Sequence, residues 1–108
     1  MVIENQTSTN LCPVTEALKV IGGKWRIPII WKLANGPVRY NELKRQLSGI
    51  TNIMLTRSLK ELEDYQLVQR KQVSEVPPHV EYSLTEQGEK LLPAFDILKE
   101  WGLDIMSR

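Results

Sequence analysis

Apolar residues return at helical spacing along most of this chain, and the sharpest case is TNIMLTRSLKELEDY, residues 51 to 65. Leu55, Leu59 and Leu62 recur at i, i+4 and i+7, which lines one face of an α-helix that must be buried. Thr51 has the side chain of a good N-cap. At about 100° per residue, Ile53, Thr56, Arg57, Lys60 and Asp64 fall on the opposite side. The outward half nearest the N-terminus therefore offers a branched apolar, a hydroxyl and two cationic side chains. Glu61, Glu63 and Asp64 arrive only near the end.

The flanking patterns place this helix in a motif. NELKRQL reads as a short helix capped by Asn41 with Leu43 and Leu47 inward, and Ser48-Gly49-Ile50 makes a tight connection. Helix, glycine turn, helix is the helix-turn-helix pattern, although a plain helical hairpin has it too. QLVQRKQV and VEYSL then read as two strands separated by SEVPPH, a hairpin with a long loop. A hairpin directly after such a helix is a wing, expected over residues 68–84.

Upstream, Cys12-Pro13 opens a helix whose stripe of Val14, Ala17, Leu18 and Ile21 ends at Gly22-Gly23. KWRIPIIWKLA follows as a second helix with one apolar face of Trp25, Ile29 and Leu33 and another of Ile27 and Trp31. Pro28 is tolerable in its first turn. Val38-Arg39-Tyr40 reads as a short strand able to pair with the wing. At the other end Thr85 caps a long helix, residues 85–106, in which Leu91, Phe95, Leu98, Gly102 and Ile105 form a seam of the kind that packs helix on helix. Pro93 should bend it after two turns, and Ile97 and Trp101 widen its apolar surface beyond what a small domain covers. The expected architecture is α+β, mainly α: a winged helix-turn-helix domain over residues 11–108 with extra N- and C-terminal helices, the C-terminal one forming a homodimer interface through Leu91, Phe95, Leu98, Trp101 and Ile105. Residues 1–10, rich in Asn, Thr and Ser, read as a flexible arm.

Charge sharpens the picture once it is divided along the chain. The net charge of +1 hides a central block, residues 24–73, with ten Lys/Arg against four acids, net +6; residues 74–108 carry three against seven, net −4. The basic charge sits on the helix-turn-helix, which points to a polyanion, double-stranded DNA above all. At 108 residues and 42% hydrophobic content the chain is one domain. No apolar leader or spanning run suggests export or a membrane partner, so a cytoplasmic protein is expected. One cysteine and one histidine leave no metal cluster, no cofactor signature and no nucleophile-base pair, which argues against a hydrolase or transferase. A winged domain used only for protein contacts is the competing class, but it need not keep Arg57, Lys60, Arg70 and Lys71 together.

For DNA, Asn52, Ile53, Thr56 and Arg57 are the expected major-groove readers at the start of the helix capped by Thr51, with Arg57 reading a base and Ile53 touching a thymine methyl. Lys44, Arg45 and Lys60 are expected on phosphates, and Arg39, Arg70, Lys71, Gln72 and His79 on the backbone or along the wing. Cys12 stands at the positive end of a helix dipole, an environment that favours the thiolate and its reaction with an oxidant or electrophile; a small buried hydrophobe is the alternative.

The series CPV, GGKW, GP-x-RY-x-EL, GIT-x-x-x-LT-x-x-L-x-ELE, LV-x-R, VPP-x-VEYSLT-x-x-G and a closing WG, in this order from Cys12 to about Gly102, resembles the HxlR-type family of winged helix-turn-helix regulators, which is MarR-like. The resemblance implies a dimeric DNA-binding regulator of transcription, repressor or activator, whose first and last helices build the dimer interface, adding Val14 and Leu18 of the first; some relatives sense oxidants or electrophiles with the N-terminal cysteine. Pro28 and Trp31 stand where that family more often has an aliphatic and a polar residue, and His79 where a wing arginine is common.

Overall fold

The computed structural model describes residues 11–108, so the arm expected over residues 1–10 lies outside the described residues. Among the described residues, six helices and three strands run in the order α1 (Pro13–Ile21), α2 (Arg26–Lys32), β1 (Val38–Arg39), α3 (Tyr40–Gln46), α4 (Asn52–Asp64), β2 (Val68–Val73), β3 (His79–Leu84), α5 (Glu86–Glu89) and α6 (Leu92–Met106). The strands form one antiparallel sheet, β1-β3-β2. Val38 and Arg39 pair with Tyr82 and Glu81, as the strand pattern suggested, and β2 pairs with β3 from Val68↔Leu84 to Val73↔His79. The fold is a winged helix-turn-helix.

The core collects one face from each element. Leu55, Leu59 and Leu62 of α4 meet Ile29, Ile30 and Leu33 from the α2 segment and Leu43, Leu47 and Ile50 from the α3 segment, with Tyr82 and Leu84 of the sheet closing one side. Thr51 caps α4 as its residue type predicts, its hydroxyl accepting from the Met54 amide at 3.1 Å. Gly49 makes the turn before it with φ of 89°, a left-handed conformation that costs glycine little.

Four details differ from the sequence pattern. Asn41 is not a cap: α3 begins at Tyr40 with Arg39 as its flanking residue, because Val38 and Arg39 are held extended by β3 and the helix starts where that pairing ends. In α2 the fully buried pair is Ile29 and Ile30, while Trp25, Ile27 and Trp31 are only partly covered. The long terminal helix is two helices. Lys90 and Leu91 close α5 through bonds to the carbonyls three residues back, and Pro93 then sits in the first turn of α6, where its missing N–H costs nothing, instead of bending a continuous helix. Finally, Phe95 is only 4% exposed, so this seam position belongs to the chain's own core, a correction to the expected dimer interface, while Leu91 is partly buried against that core.

Candidate nucleic-acid interface

The outward face of α4 is built by the inward one: burying Leu55, Leu59 and Leu62 fixes the rotation of the helix and turns Asn52, Ile53, Thr56, Arg57 and Lys60 to solvent. Ile53 is 72% exposed, a large apolar side chain facing solvent. Thr51 is exposed but its hydroxyl is engaged in the cap. Among the described residues Arg57 forms no ion pair, whereas Lys60 reaches Asp64 at 3.1 Å across one turn, an exposed pair that a phosphate could displace.

Two residues that the sequence pattern did not single out help to shape this surface. The Tyr40 hydroxyl lies 2.9 Å from the Thr56 hydroxyl and donates to the Asn52 carbonyl at 3.3 Å, so Thr56 is held in place by a residue sixteen positions earlier. Nothing local in the sequence announces such a contact. Lys24 lines a cleft of about 440 Å³ with Gly22, Gly23, Arg57 and Glu61, between the α1–α2 connection and α4. Its signal was the lysine that follows two glycines. Arg26, by contrast, leaves the basic surface: its guanidinium pairs with Glu61 at 2.8 Å and donates to the Val20 carbonyl at 2.6 Å, tying α2 to α4 and to the end of α1.

On the other flank, Arg39 and Arg70 line a cleft of about 520 Å³ with Tyr40, Asn41, Pro77, Pro78, His79 and Tyr82. Arg70, Lys71 and Gln72 are exposed along β2. His79 is less available than its neighbours, with one ring nitrogen 3.1 Å from the Pro77 carbonyl and the other 3.2 Å from Glu81. On α3, Lys44 is partly exposed, and Arg45 is turned back on Glu42, whose carboxyl it holds below the usual carboxylate range. Cys12 is exposed at the N-terminus of α1, and the amide and hydroxyl of Thr15 with the amide of Val14 hold its thiol below the ordinary range. It is not a packed hydrophobe. Among the described residues no three His, Cys, Asp or Glu side chains gather as metal ligands, and no helix is long and apolar enough to cross a membrane.

A wing beside an outward cationic helix is the architecture of a transcriptional regulator that binds DNA. The HxlR-like helix-turn-helix model matches residues 20–108, and the chain belongs to that family. It is 50% identical over 92 residues to an HTH-type transcriptional regulator of Halalkalibacterium halodurans, covering 84% of this chain and 81% of that one. Among solved structures, a MarR-family transcriptional regulator from Porphyromonas gingivalis superposes with a TM-score of 0.83 at 42% identity, covering 92% of this chain and 97% of the other. The redox regulator HypR in its oxidized form superposes with a TM-score of 0.80 at 46% identity, covering 86% and 96%. These relatives are named as regulators, and the chain is a regulator of transcription rather than an enzyme.

Proposed function

We propose that the chain acts as a homodimer on a near-palindromic operator, inserting the N-terminal half of α4 into the major groove. The observation that carries this is the outward face of α4, where Ile53 is exposed and Arg57, without an ion-pair partner among the described residues, lines a cleft with Lys24, while Arg39 and Arg70 line a second cleft. Arg57 reads a base, with Asn52, Ile53 and Thr56 beside it. Lys24, Lys44, Arg45 and Lys60 hold phosphates, and Arg39, Arg70, Lys71 and Gln72 follow the flanking backbone; His79 serves the wing by shaping its tip. Two such helices related by a two-fold axis meet major grooves about 34 Å apart.

Cys12 gives this regulator its input. An exposed thiol biased towards thiolate is the species that reacts with peroxide or an electrophile, and the likeness to a redox regulator supports the same reading. A gel-shift and footprint on the gene's own upstream DNA test the proposal. Arg57→Ala is expected to lose about 1–3 kcal/mol on the protected site and far less on random duplex. Equal losses on both make Arg57 a phosphate contact, and absence of any protected site overturns the proposal.

A further inference from the structure

Two cation–acid couples stand four residues apart on α4, the cation first in each: Arg57 with Glu61, and Lys60 with Asp64. Such spacing brings the two side chains to one face of a helix and within reach of each other. Lys60 closes on Asp64 at 3.1 Å. Arg57 and Glu61 line the same cleft, yet among the described residues they form no ion pair. Glu61 is engaged from the other side. Arg26 of α2 donates to its Oε1 at 2.8 Å, and the same guanidinium donates to the Val20 carbonyl at 2.6 Å and the Lys19 carbonyl at 3.3 Å. It also lies over the Tyr65 ring, 5.4 Å from the centroid. The Arg26 side chain is only 18% exposed, against 70% for that of Lys60.

These partners decide which cation holds Glu61. An exposed pair one turn apart on a helix is worth little, because water screens it and two long side chains must be ordered to make it. Arg26 is already ordered by the last carbonyls of α1 and by the Tyr65 ring, so its planar fork reaches Glu61 with less freedom to lose. The other cations of the cleft are engaged elsewhere: Lys19 pairs with Glu16 at 3.0 Å, and Lys24 lies 5.1 Å over the Trp25 ring. We propose that Arg26 is a positioning residue for DNA reading, holding the Glu61 carboxylate towards α2 so that Arg57, one turn earlier, stays available for a base. The proposal rests on the role given above to Arg57, and Arg26 itself touches no DNA. When the Arg26 charge is removed, Glu61 closes on Arg57 as Asp64 closes on Lys60.

The first measurement needs no DNA. Rotation of the Arg57 guanidinium is followed by NMR in the isotope-labelled full chain, its signal assigned by its loss in Arg57→Lys. Rotation is expected to be fast in wild type and slowed in Arg26→Gln, whose amide can still donate to the Val20 carbonyl. It is expected to be fast again in Arg26→Lys, which keeps a charge for Glu61, and in Arg26→Gln with Glu61→Gln. Glu61→Gln alone leaves the bonds from Arg26 to α1 in place and should not change it, so this comparison stands even where Arg26→Gln does not fold. The second measurement is affinity for the footprinted site. Arg26→Gln is expected to bind about two- to five-fold more weakly than wild type, the worth of an exposed pair, and the double variant to recover. A role confined to packing predicts that the double variant, which lacks the tie altogether, stays weak. Unchanged Arg57 rotation in Arg26→Gln, slow rotation in wild type that Glu61→Gln releases, or a double variant as weak as the single one overturns the proposal. If wild type reads no site, the regulator reading fails and the Arg57 rotation alone decides this one.

Discussion

At the scale of single residues, several side chains on this surface are constrained by neighbours that sequence spacing does not reveal. Thr56 and Arg57 are adjacent on the outward face of α4, yet Thr56 is tethered to the Tyr40 hydroxyl while Arg57 has no ion-pair partner among the described residues. Tyr40→Phe therefore frees the Thr56 hydroxyl without disturbing the ring, which stays against Tyr82. Binding to random DNA is expected to be unchanged, while discrimination at one operator position falls by about 1 kcal/mol, the worth of a typical hydrogen bond; a panel of single-base operator variants reads it directly. Cys12 is constrained in a different way. Because the Thr15 and Val14 groups favour its charged form, the thiolate persists to lower pH than in an unfolded chain. The rate of iodoacetamide alkylation against pH should have its midpoint below the ordinary thiol value of about 8.5, and urea should move it up. A folded midpoint at or above the unfolded one means that the helix terminus does nothing for Cys12.

At the scale of elements, the joint between α4, the wing and α5 shows how far local pattern reaches. The chain leaves α4 through Gln66 at φ of 63°, with the Leu67 amide bonded to the Leu62 carbonyl at 3.0 Å and the Gln66 amide to the Glu63 carbonyl at 2.8 Å, a Schellman closure normally built on glycine. The Thr85 hydroxyl then donates to the Gln66 carbonyl at 2.6 Å and accepts from the Gly88 amide at 3.1 Å, and α5 is drawn so close that a Cβ on Gly88 would stand 2.2 Å from the Leu67 carbonyl oxygen. Gly88→Ala must push backbone from backbone and is expected to cost about 2–3 kcal/mol. Gln66→Gly relieves a left-handed conformation at some cost in chain entropy, for a net gain of about 0.5–1 kcal/mol. Urea midpoints with unchanged slope measure both. Patterns confined to one element were legible: the spacing of Leu55, Leu59 and Leu62, the Thr51 cap and the pairing of Val38-Arg39 all stand in the structure as the sequence implied. What escaped was set by contact between elements. Asn41 lost its capping role to a strand that runs straight into α3, the long terminal helix broke because Gly88 docks on Leu67, and Phe95, at a seam spacing, faces inward because α6 starts anew at Leu92. The α4 surface of the site was readable for the same reason that α4 was, whereas Tyr40 and Lys24 reach it only through tertiary packing.

At the scale of the whole molecule, the chain leaves apolar surface that one subunit does not cover. With Phe95 in the core, the exposed large apolar residues of the terminal segments are Leu11, Val14 and Leu18 around α1 and Ile97, Leu98, Trp101, Leu103, Ile105 and Met106 on α6. Trp101 alone is 61% exposed. Contiguous apolar surface on this scale marks an interaction site, and a stable dimer needs about 1,200–2,000 Å² of total buried area, more than one short helix supplies. The proposed dimer would therefore need both terminal helices, and the near-palindromic operator proposed above would call for a second copy related by two-fold symmetry. Leu18→Glu with Trp101→Glu places charges on both helices at positions outside the core. Wild type is expected to sediment at twice the chain mass at micromolar concentration, and the variant at the chain mass with an unchanged circular dichroism spectrum. Its affinity for the full operator should fall towards that for an isolated half-site, since each α4 surface is intact but no longer linked to the other. The remaining half-site binding should still weaken steeply with salt, as each phosphate contact releases a counterion. A double variant that stays dimeric, or a monomer that binds the full operator as tightly as wild type, would break the link drawn here between the terminal helices and the spacing of the two recognition surfaces.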